Sequence, residues 1–560
     1  MNPPRRPPIL SGERKRYLAA LIVVGLAQTS LAVALMLTVK WVFDALAAQG
    51  LQGDHMLGVG AGLIGLAVLG PGVQYAHAHF AEQLGQSYVE VLRARLFAHL
   101  LKLSPRALQA RHRGGLTLRF IGDMGALRRW ISFGLARLIV TGMTATGVLI
   151  VLATESVWLA VGLALSLVAG VLAAWRVGEG LRPRTLETRR RTSRLAAFIN
   201  ERVFAISSIH ACGQGLREQR RMRRNLSAVR RASVARMAWA GLTRGVAESG
   251  ALLAYSAVLL IGAFEVMAGA ASVGMVVAAM TTVGILMPQL RGLGRVLEHW
   301  HGYRVSARKI DDLFALKGQI RQVAAPVRVS EAEGSIRFEG LSLPGSVQDA
   351  SATLPAGGRV AVVGANGTGK STLLAALVRL VEPLQGRIFL DGHDIGQLHL
   401  RDLRRQVGLV SQDLPLLRGT VEYNLTYACR RPDPTWRAQV ERWCGIDALV
   451  SQWPEGRLHR ITDGGANLSA GQRVRIMLAR ALLSAPKVLL LDEIDGVLDG
   501  DGVSLIDAML EAYPGTVLWV SHTESRFDRA DQMLYLGIDG RLTHTARAGQ
   551  VLPLRRRVEA

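Results

Sequence analysis

Gly358-Arg359-Val360-Ala361-Val362-Val363-Gly364-Ala365-Asn366-Gly367-Thr368-Gly369-Lys370-Ser371 is the stretch that decides the fold. Its first half is an apolar, β-branched run that reads as a buried strand. Its second half fits G-x-x-x-x-G-K-[ST], the phosphate-binding loop. Thr372-Leu373-Leu374-Ala375-Ala376-Leu377 then reads as a helix, which completes the strand–loop–helix context the motif needs. Glycines let the backbone wrap a phosphate, so that main-chain N–H groups face it. The helix N-terminus adds partial positive charge. Lys370 is expected to reach the β- and γ-phosphates of a bound nucleotide, and Ser371 to ligand Mg²⁺. Gly364, Ala365, Asn366, Gly367, Thr368, Gly369 and Thr372 complete the expected cradle.

Outward from this loop, the chain divides by composition. The 560 residues are enough for two or three domains, and they carry a net charge of +24. That charge is compatible with nucleic acid or a membrane surface, and its distribution selects the membrane. Apolar stretches of about 20 residues occur near 18–39, 56–76, 133–153, 156–175, 247–268 and 273–290. Arginines crowd two long connections between them, including Arg93, Arg111 and Arg129 in one and Arg189, Arg220 and Arg231 in the other. The alternate connections are short and almost uncharged. The positive-inside rule therefore places both long loops and both termini in the cytoplasm. Basic residues lying between membrane spans argue against a nucleic-acid-binding face.

Several details follow from that reading. The second stretch is rich in glycine, which lets helices pack closely or weakens the span. Gln28, Thr29, Thr281 and Thr282 fall within spans, where hydrogen bonding between helices is the expected role. Glu248 and Glu265 lie near span ends, where interfacial solvation accounts for them. Pro288 is expected to kink the last span, whose helix continues from Arg291 to Leu316. Cys212, Cys429 and Cys444 are widely spaced, form no zinc pattern, and are expected to be reduced thiols in the cytoplasm. Pro3-Pro4-Arg5-Arg6-Pro7-Pro8 reads as a disordered cap without a cleavable signal peptide.

The soluble half begins at Ser335-Ile336-Arg337-Phe338, after a connection through Ala324, Ala325 and Pro326. Val488-Leu489-Leu490-Leu491-Asp492-Glu493 is an apolar strand ending in two acids. Asp492 is the expected Mg²⁺ ligand and Glu493 the group that polarises an attacking water. Val517-Leu518-Trp519-Val520-Ser521-His522 is a further strand ending in polar residues, with His522 a candidate γ-phosphate contact.

With these residues in order, the chain resembles an ABC transporter, specifically a half-transporter of the exporter type. Leu468-Ser469-Ala470-Gly471-Gln472 resembles the signature loop of that family. The resemblance implies that Ser469, Gly471 and Gln472 contact nucleotide. It makes Gln412 the Q-loop residue, touching nucleotide and Mg²⁺, Asp499 the D-loop aspartate and His522 the catalytic switch histidine beside Glu493. Asp463 sits where exporters keep an acidic residue, and the segments 115–123 and 200–218 resemble coupling-helix regions. Three departures stand out. Ala470 replaces a glycine, Ile494-Asp495-Gly496 replaces the usual Pro-Thr-Ser/Ala, and Leu341-Ser342-Leu343-Pro344-Gly345 lacks the aromatic that stacks on adenine. The last implies weaker or less base-selective adenine binding.

The expected fold class is a polytopic α-helical membrane domain of six transmembrane helices followed by an α/β P-loop ATPase domain. Residues 1–17 form an N-terminal cytoplasmic segment, 18–316 the membrane domain with its coupling loops, 317–334 a linker, and 335–560 the nucleotide-binding domain. The resemblance implies an ATP-driven exporter working by alternating access in a plasma membrane, such as a bacterial inner membrane. ATP and Mg²⁺ are the expected cofactors. The expected partners are a second copy of the chain or a related half-transporter, membrane lipids and a transported substrate, with no nucleic acid. The alternatives are one half of a heterodimeric exporter, or an ATP-gated channel or regulatory membrane ATPase.

Overall fold

The structure, a computed structural model, describes residues 6–48, 53–109, 116, 119–316, 318, 320, 322–329, 331–494, 500–521 and 524–546. It divides into two compact units, Met1–Leu101 with Gln109–Lys317, and Lys102–Leu108 with Gly318–Ala560.

The first unit is helical. Five of its described helices are long and apolar enough to cross a membrane: α1 (Arg14–Ala47), α2 (Gly53–Leu100), α3 (Arg119–Glu155), α4 (Val157–Gly178) and α7 (Gly215–Met267). Between α4 and α7 lie α5 (Leu181–Phe204) and the short α6 (Ile206–Ala211). The sixth apolar stretch forms α8 (Val273–Arg291), which is continuous over Pro288. It stops at Arg291, and α9 (Leu293–Phe314) follows Gly292, where the sequence predicts one unbroken helix. Large apolar side chains such as Val23, Leu57, Ile64 and Phe264 lie exposed on these helices, as a bilayer-facing surface requires.

Packing inside this unit departs from the sequence reading in three places. A Cβ added at Gly58, Gly60, Gly62, Gly65, Gly70 or Gly72 of α2 would meet nothing, so these glycines make no close helix contact. The close approach is elsewhere: a Cβ at Gly170 of α4 would lie 3.0 Å from the Gly250 Cα of α7. Any larger residue would push those two helices apart. Thr29 and Thr281 do not bond across helices; each hydroxyl donates to a carbonyl four residues back, Gly25 and Val277, at 2.8 Å. Glu265 is held by the Ser156 hydroxyl at 2.6 Å rather than by solvent alone.

The second unit is α/β. Its main sheet runs β12-β11-β3-β10-β9-β6, formed by Leu542–Ala546, Gln532–Leu536, Arg359–Gly364, Thr516–Val520, Val488–Asp492 and Val407–Ser411. All its pairings are parallel except β11 with the edge strand β12. A parallel sheet is covered on both faces, so its strands read as continuous apolar runs. Accordingly β9 and β10 are buried at every position. Alternate residues feed two cores: Leu489, Leu491, Val517 and Trp519 face one, and Val488, Leu490, Leu518 and Val520 the other. A smaller antiparallel sheet, β2-β1-β4-β5, is formed by Ala350–Leu354, Ile336–Ser342, Gln385–Leu390 and His393–Asp394. Phe338 of β1 is buried in the second core, so it offers no ring to a nucleotide base.

Register positions the chemistry. Val520 pairs with Val362 on one side and Asp492 on the other, and Asp492 pairs with Ser411. The carboxyl ends of β3, β10, β9 and β6 thus finish side by side, the usual place for a ligand in an open α/β sheet.

Candidate functional site

β3 ends at Gly364 and the loop turns into α10 (Lys370–Leu377). Gly369 precedes α10 with φ of 105°, a conformation that a side chain disfavours. A Cβ there would lie 2.2 Å from the Cβ of Ser346, so the turn after β1 is packed directly on the loop. The Thr368 hydroxyl donates to the Ala365 carbonyl at 2.9 Å and closes the loop on itself. Lys370 is only 4 % exposed, and its ammonium donates to the carbonyls of Gly364 (2.8 Å) and Ala365 (3.1 Å). Burial pulls its pKa below the usual lysine value, with Glu493 and Asp492 pulling the other way. An ammonium desolvated beside a loop of N–H donors is suited to an incoming polyanion.

Ser371, the second residue of α10, donates its hydroxyl to Asp492 Oδ1 at 2.9 Å. Ser411 donates to the other oxygen, Asp492 Oδ2, at 3.2 Å. Burial raises the Asp492 pKa, the charges of Glu493 and Asp413 add to this, and the two hydroxyls oppose it. A carboxylate and a hydroxyl oxygen, adjacent and partly desolvated, are hard oxygen donors of the kind Mg²⁺ takes. Glu493 directly follows, with φ of 51°. Its N–H donates to the Val520 carbonyl (3.2 Å) and its carbonyl accepts from Gln412 Nε2 (2.9 Å). These backbone bonds hold the residue in a left-handed conformation and leave its carboxylate exposed at the strand end. Ser411 escaped the sequence reading, although the strand-terminal polar residue beside Gln412 was its signal.

Ser469 caps α11 (Ala470–Leu482) in a capping box: its Oγ accepts from the Gln472 N–H at 3.1 Å, and Gln472 Oε1 accepts from the Ser469 N–H at 2.9 Å. The hydroxyl proton of Ser469 remains available to an anion. Ala470 is the first helical residue and has no positive φ, so alanine is unstrained there. Gly471 follows it in the first turn. Beside the phosphate loop, Leu343 and Val347 close a tight turn through a 2.9 Å backbone bond, with no aromatic residue between them. Asp499 and His522, and with them Asp495-Gly496 and part of the segment 115–123, lie outside the described residues.

Both halves of the chain match known proteins. Residues 18–290 match the family described as ABC transporter transmembrane region, and residues 347–495 match ABC transporter. An ATP-dependent lipid A-core flippase of Thiobacillus denitrificans is 30 % identical over 508 residues, covering 88 % of this chain and 86 % of that protein. The chain belongs to the ABC transporter family. An ATP-dependent lipid A-core flippase of Ralstonia nicotianae is 27 % identical, with 94 % of this chain and 90 % of that one covered. A putative multidrug export ATP-binding/permease protein of Bacillus subtilis is 26 % identical, covering 93 % and 92 %. In fold, the chain is similar to a bacterial Atm1-family ABC exporter solved with ATP bound, with TM-score 0.86, 24 % identity and 96 % of both chains covered. With membrane helices and ATPase in one polypeptide, this is an exporter-type half-transporter. It is an integral membrane protein that binds ATP and couples its hydrolysis to export.

Proposed function

We propose that two copies of this chain form a bacterial inner-membrane exporter, with both termini and both ATPase units in the cytoplasm. In this reading the membrane helices alternate access between the two sides. The observation that carries it is the row of strand ends that sets Lys370, Ser371, Asp492, Glu493 and Gln412 around one loop. ATP entering the loop replaces the Gly364 and Ala365 carbonyls as partners of the Lys370 ammonium. Ser371 and Asp492, with Gln412, would hold Mg²⁺, which supplies charge neutralisation at the phosphates when bound. Glu493 accepts the proton of the attacking water. Ser469 of one copy donates its free hydroxyl to the γ-phosphate held by the other copy, with Gly471 and Gln472 forming the rest of that surface. The family resemblance assigns a γ-phosphate contact to His522 and a contact between the copies to Asp499, both of which lie outside the described residues.

The unstrained Ala470 leaves the signature loop of this chain intact, which is compatible with a homodimer. The test is purification of a tagged chain expressed with its natural neighbours, followed by reconstitution. A homodimer that hydrolyses Mg²⁺-ATP and moves cargo inward in inside-out vesicles is the expected result. Co-purification of a different half-transporter, with turnover only in its presence, would replace the homodimer by a heterodimer. ATP-gated flux that never runs against a gradient would replace the pump by a channel.

A further inference from the structure

A buried carboxylate joins three segments of the membrane unit that lie outside its apolar spans. Asp123, near the start of α3, is 7 % exposed. Its Oδ1 accepts from the Ser306 hydroxyl of α9 at 2.8 Å and from the Arg189 guanidinium of α5 at 3.3 Å. Arg189 also donates to Ser306, so each of the three groups bonds the other two. Lys309 of α9 adds a second cation, 3.8 Å from Asp123 Oδ2. Ser306 is fully buried. A Cβ at Gly302 would lie 3.4 Å from Arg189 Nη2, so the guanidinium rests against the backbone of α9. Burial pulls the Arg189 pKa down and Asp123 opposes this, while Arg129 and Arg236 add repulsion. Removing one partner alone would leave the other charge desolvated and unpaired.

Apolar packing does not supply this tie for α5. Of its 24 residues only Leu181 and Thr185 are buried. Met124, Leu127 and Ile131 of α3 share one apolar core with Val296, Ile310 and Leu313 of α9, and among the described residues none of α5 belongs to it. A second polar tie lies nearer the α8 span. There Glu298 of α9 accepts from Arg236 (3.2 Å) and Arg244 (2.9 Å) of α7. In turn α7 holds α5 through Thr188, whose hydroxyl donates to the Ala232 carbonyl at 3.0 Å. From Glu298 to Ser306 the helix rises about 12 Å. One tie leaves a pivot, whereas two ties at different heights also fix the angle between helices. The chain runs from α9 into the ATPase unit, and the break at Gly292 separates α9 from its own span. Movement of α9 therefore reaches the other spans through the helices it is tied to.

We propose that Asp123, Ser306 and Arg189 form a clasp that makes α3, α5 and α9 turn as one body, so that movement of the ATPase unit reaches the α3 and α4 spans together. The assignment rests on the exporter reading and adds the positioning residues that join hydrolysis to movement. Asp123 lies on the helix that continues into the α3 span, and Arg189 lies on α5, which follows the α4 span. These residues act through the helices they join and touch neither nucleotide nor cargo. Without the clasp, α5 can pivot about the Glu298 tie while α3 and α9 stay packed together.

The test uses the full chain in nanodiscs, with Cys212→Ser and Cys429→Ser, and spin labels at the exposed positions Ile121 on α3, Arg190 on α5 and Arg308 on α9. Labelled chains are diluted with unlabelled ones, so that distances within one chain are read. The three distances are measured without nucleotide and with ATP and vanadate. With the clasp intact each should stay constant to within about 2 Å. Asp123→Ala with Arg189→Met removes both charges of the buried pair, so that neither is left unpaired. In this variant both distances to Arg190 should change by more than about 2 Å, while Ile121 to Arg308 stays fixed by the apolar core. A separate label at Thr154, between the α3 and α4 spans, reads their movement from copy to copy. The double variant should still hydrolyse ATP and lose most of the nucleotide-driven shift at Thr154. A merely structural role would lower the unfolding temperature and hydrolysis together and leave all three distances fixed, which would overturn the proposal. So would a full shift at Thr154 in the double variant, or distances that change between states with the clasp intact. No shift at Thr154 in clasp-intact protein that hydrolyses ATP would instead bring down the alternating-access reading beneath it.

Discussion

Glu493→Gln gives the most informative single substitution at the nucleotide site. Two contacts that hold this residue are made by its backbone: the N–H to the Val520 carbonyl at 3.2 Å, and the carbonyl to Gln412 Nε2 at 2.9 Å. Glutamine keeps both, and it occupies the φ of 51° at a similar cost to glutamate. The side chain is exposed, so the change in folding free energy should stay within about 0.5 kcal/mol. What is lost is a carboxylate able to take a proton from water. General-base removal typically lowers turnover by roughly 10²–10⁴, equivalent to about 3–5 kcal/mol of barrier. Nucleotide affinity should be unchanged or slightly tighter, since one negative charge near the phosphates disappears. Phosphate release at saturating Mg²⁺-ATP reads the first effect and equilibrium binding of a fluorescent ATP analogue reads the second. Turnover within a few-fold of wild type would refute the role given to Glu493. Loss of nucleotide binding would show that its carboxylate serves the fold of the loop instead.

Further outcomes follow from other parts of the molecule. A reporter inserted at Gly215 should be cytoplasmic and one at Gly50 external, as judged by labelling of intact cells; finding both on one side would defeat the assigned topology. With Phe338 buried and no ring in the Leu343–Val347 turn, ATP should be preferred over GTP only modestly, each missing stacking contact being worth on the order of 1 kcal/mol. Competition binding measures this, and a strong preference for ATP would point to a ring contributed from elsewhere. The raised pKa of Asp492 sets a pH dependence. Metal-nucleotide binding needs its carboxylate, so affinity should fall as pH drops through that raised value, sooner than for an ordinary aspartate. For the empty fold the sign is opposite: the folded state holds the proton more tightly, so this group contributes stability at low pH and loses it as pH rises through its folded value. Nucleotide affinity measured against pH in wild type and Asp492→Asn checks the first, and an unchanged profile in the variant would contradict it.

The parts of this molecule legible in the sequence are those encoded by neighbouring residues. The phosphate loop, the Asp492-Glu493 pair and the signature loop at Ser469 each depend on a few consecutive positions, and the apolar spans depend on length and composition. What the sequence concealed depends on register and approach. Ser411 became a partner of Asp492 because β6 and β9 align those two residues, and no local pattern encodes that pairing. The glycines of α2 left close packing and a weaker span both open, and the close approach is formed instead by Gly170 and Gly250 on helices far apart in sequence. Thr29 and Thr281 turned back to their own helices because a β-branched hydroxyl reaches the carbonyl four residues earlier without any neighbour.

The central claim is that each ATP is worked on by two chains, with Lys370 of one and Ser469 of the other. Nucleotide trapping in mixed dimers tests it directly. Chains carrying Lys370→Ala are combined with chains carrying Ser469→Ala, and mixed dimers are isolated with two tags. If the site is shared, one site receives both defects and the other receives none, so the mixed dimer should trap nucleotide at one site while either variant alone traps none. If Lys370 and Ser469 serve the same site within one chain, every site stays damaged, and mixed dimers that trap nothing would contradict the account.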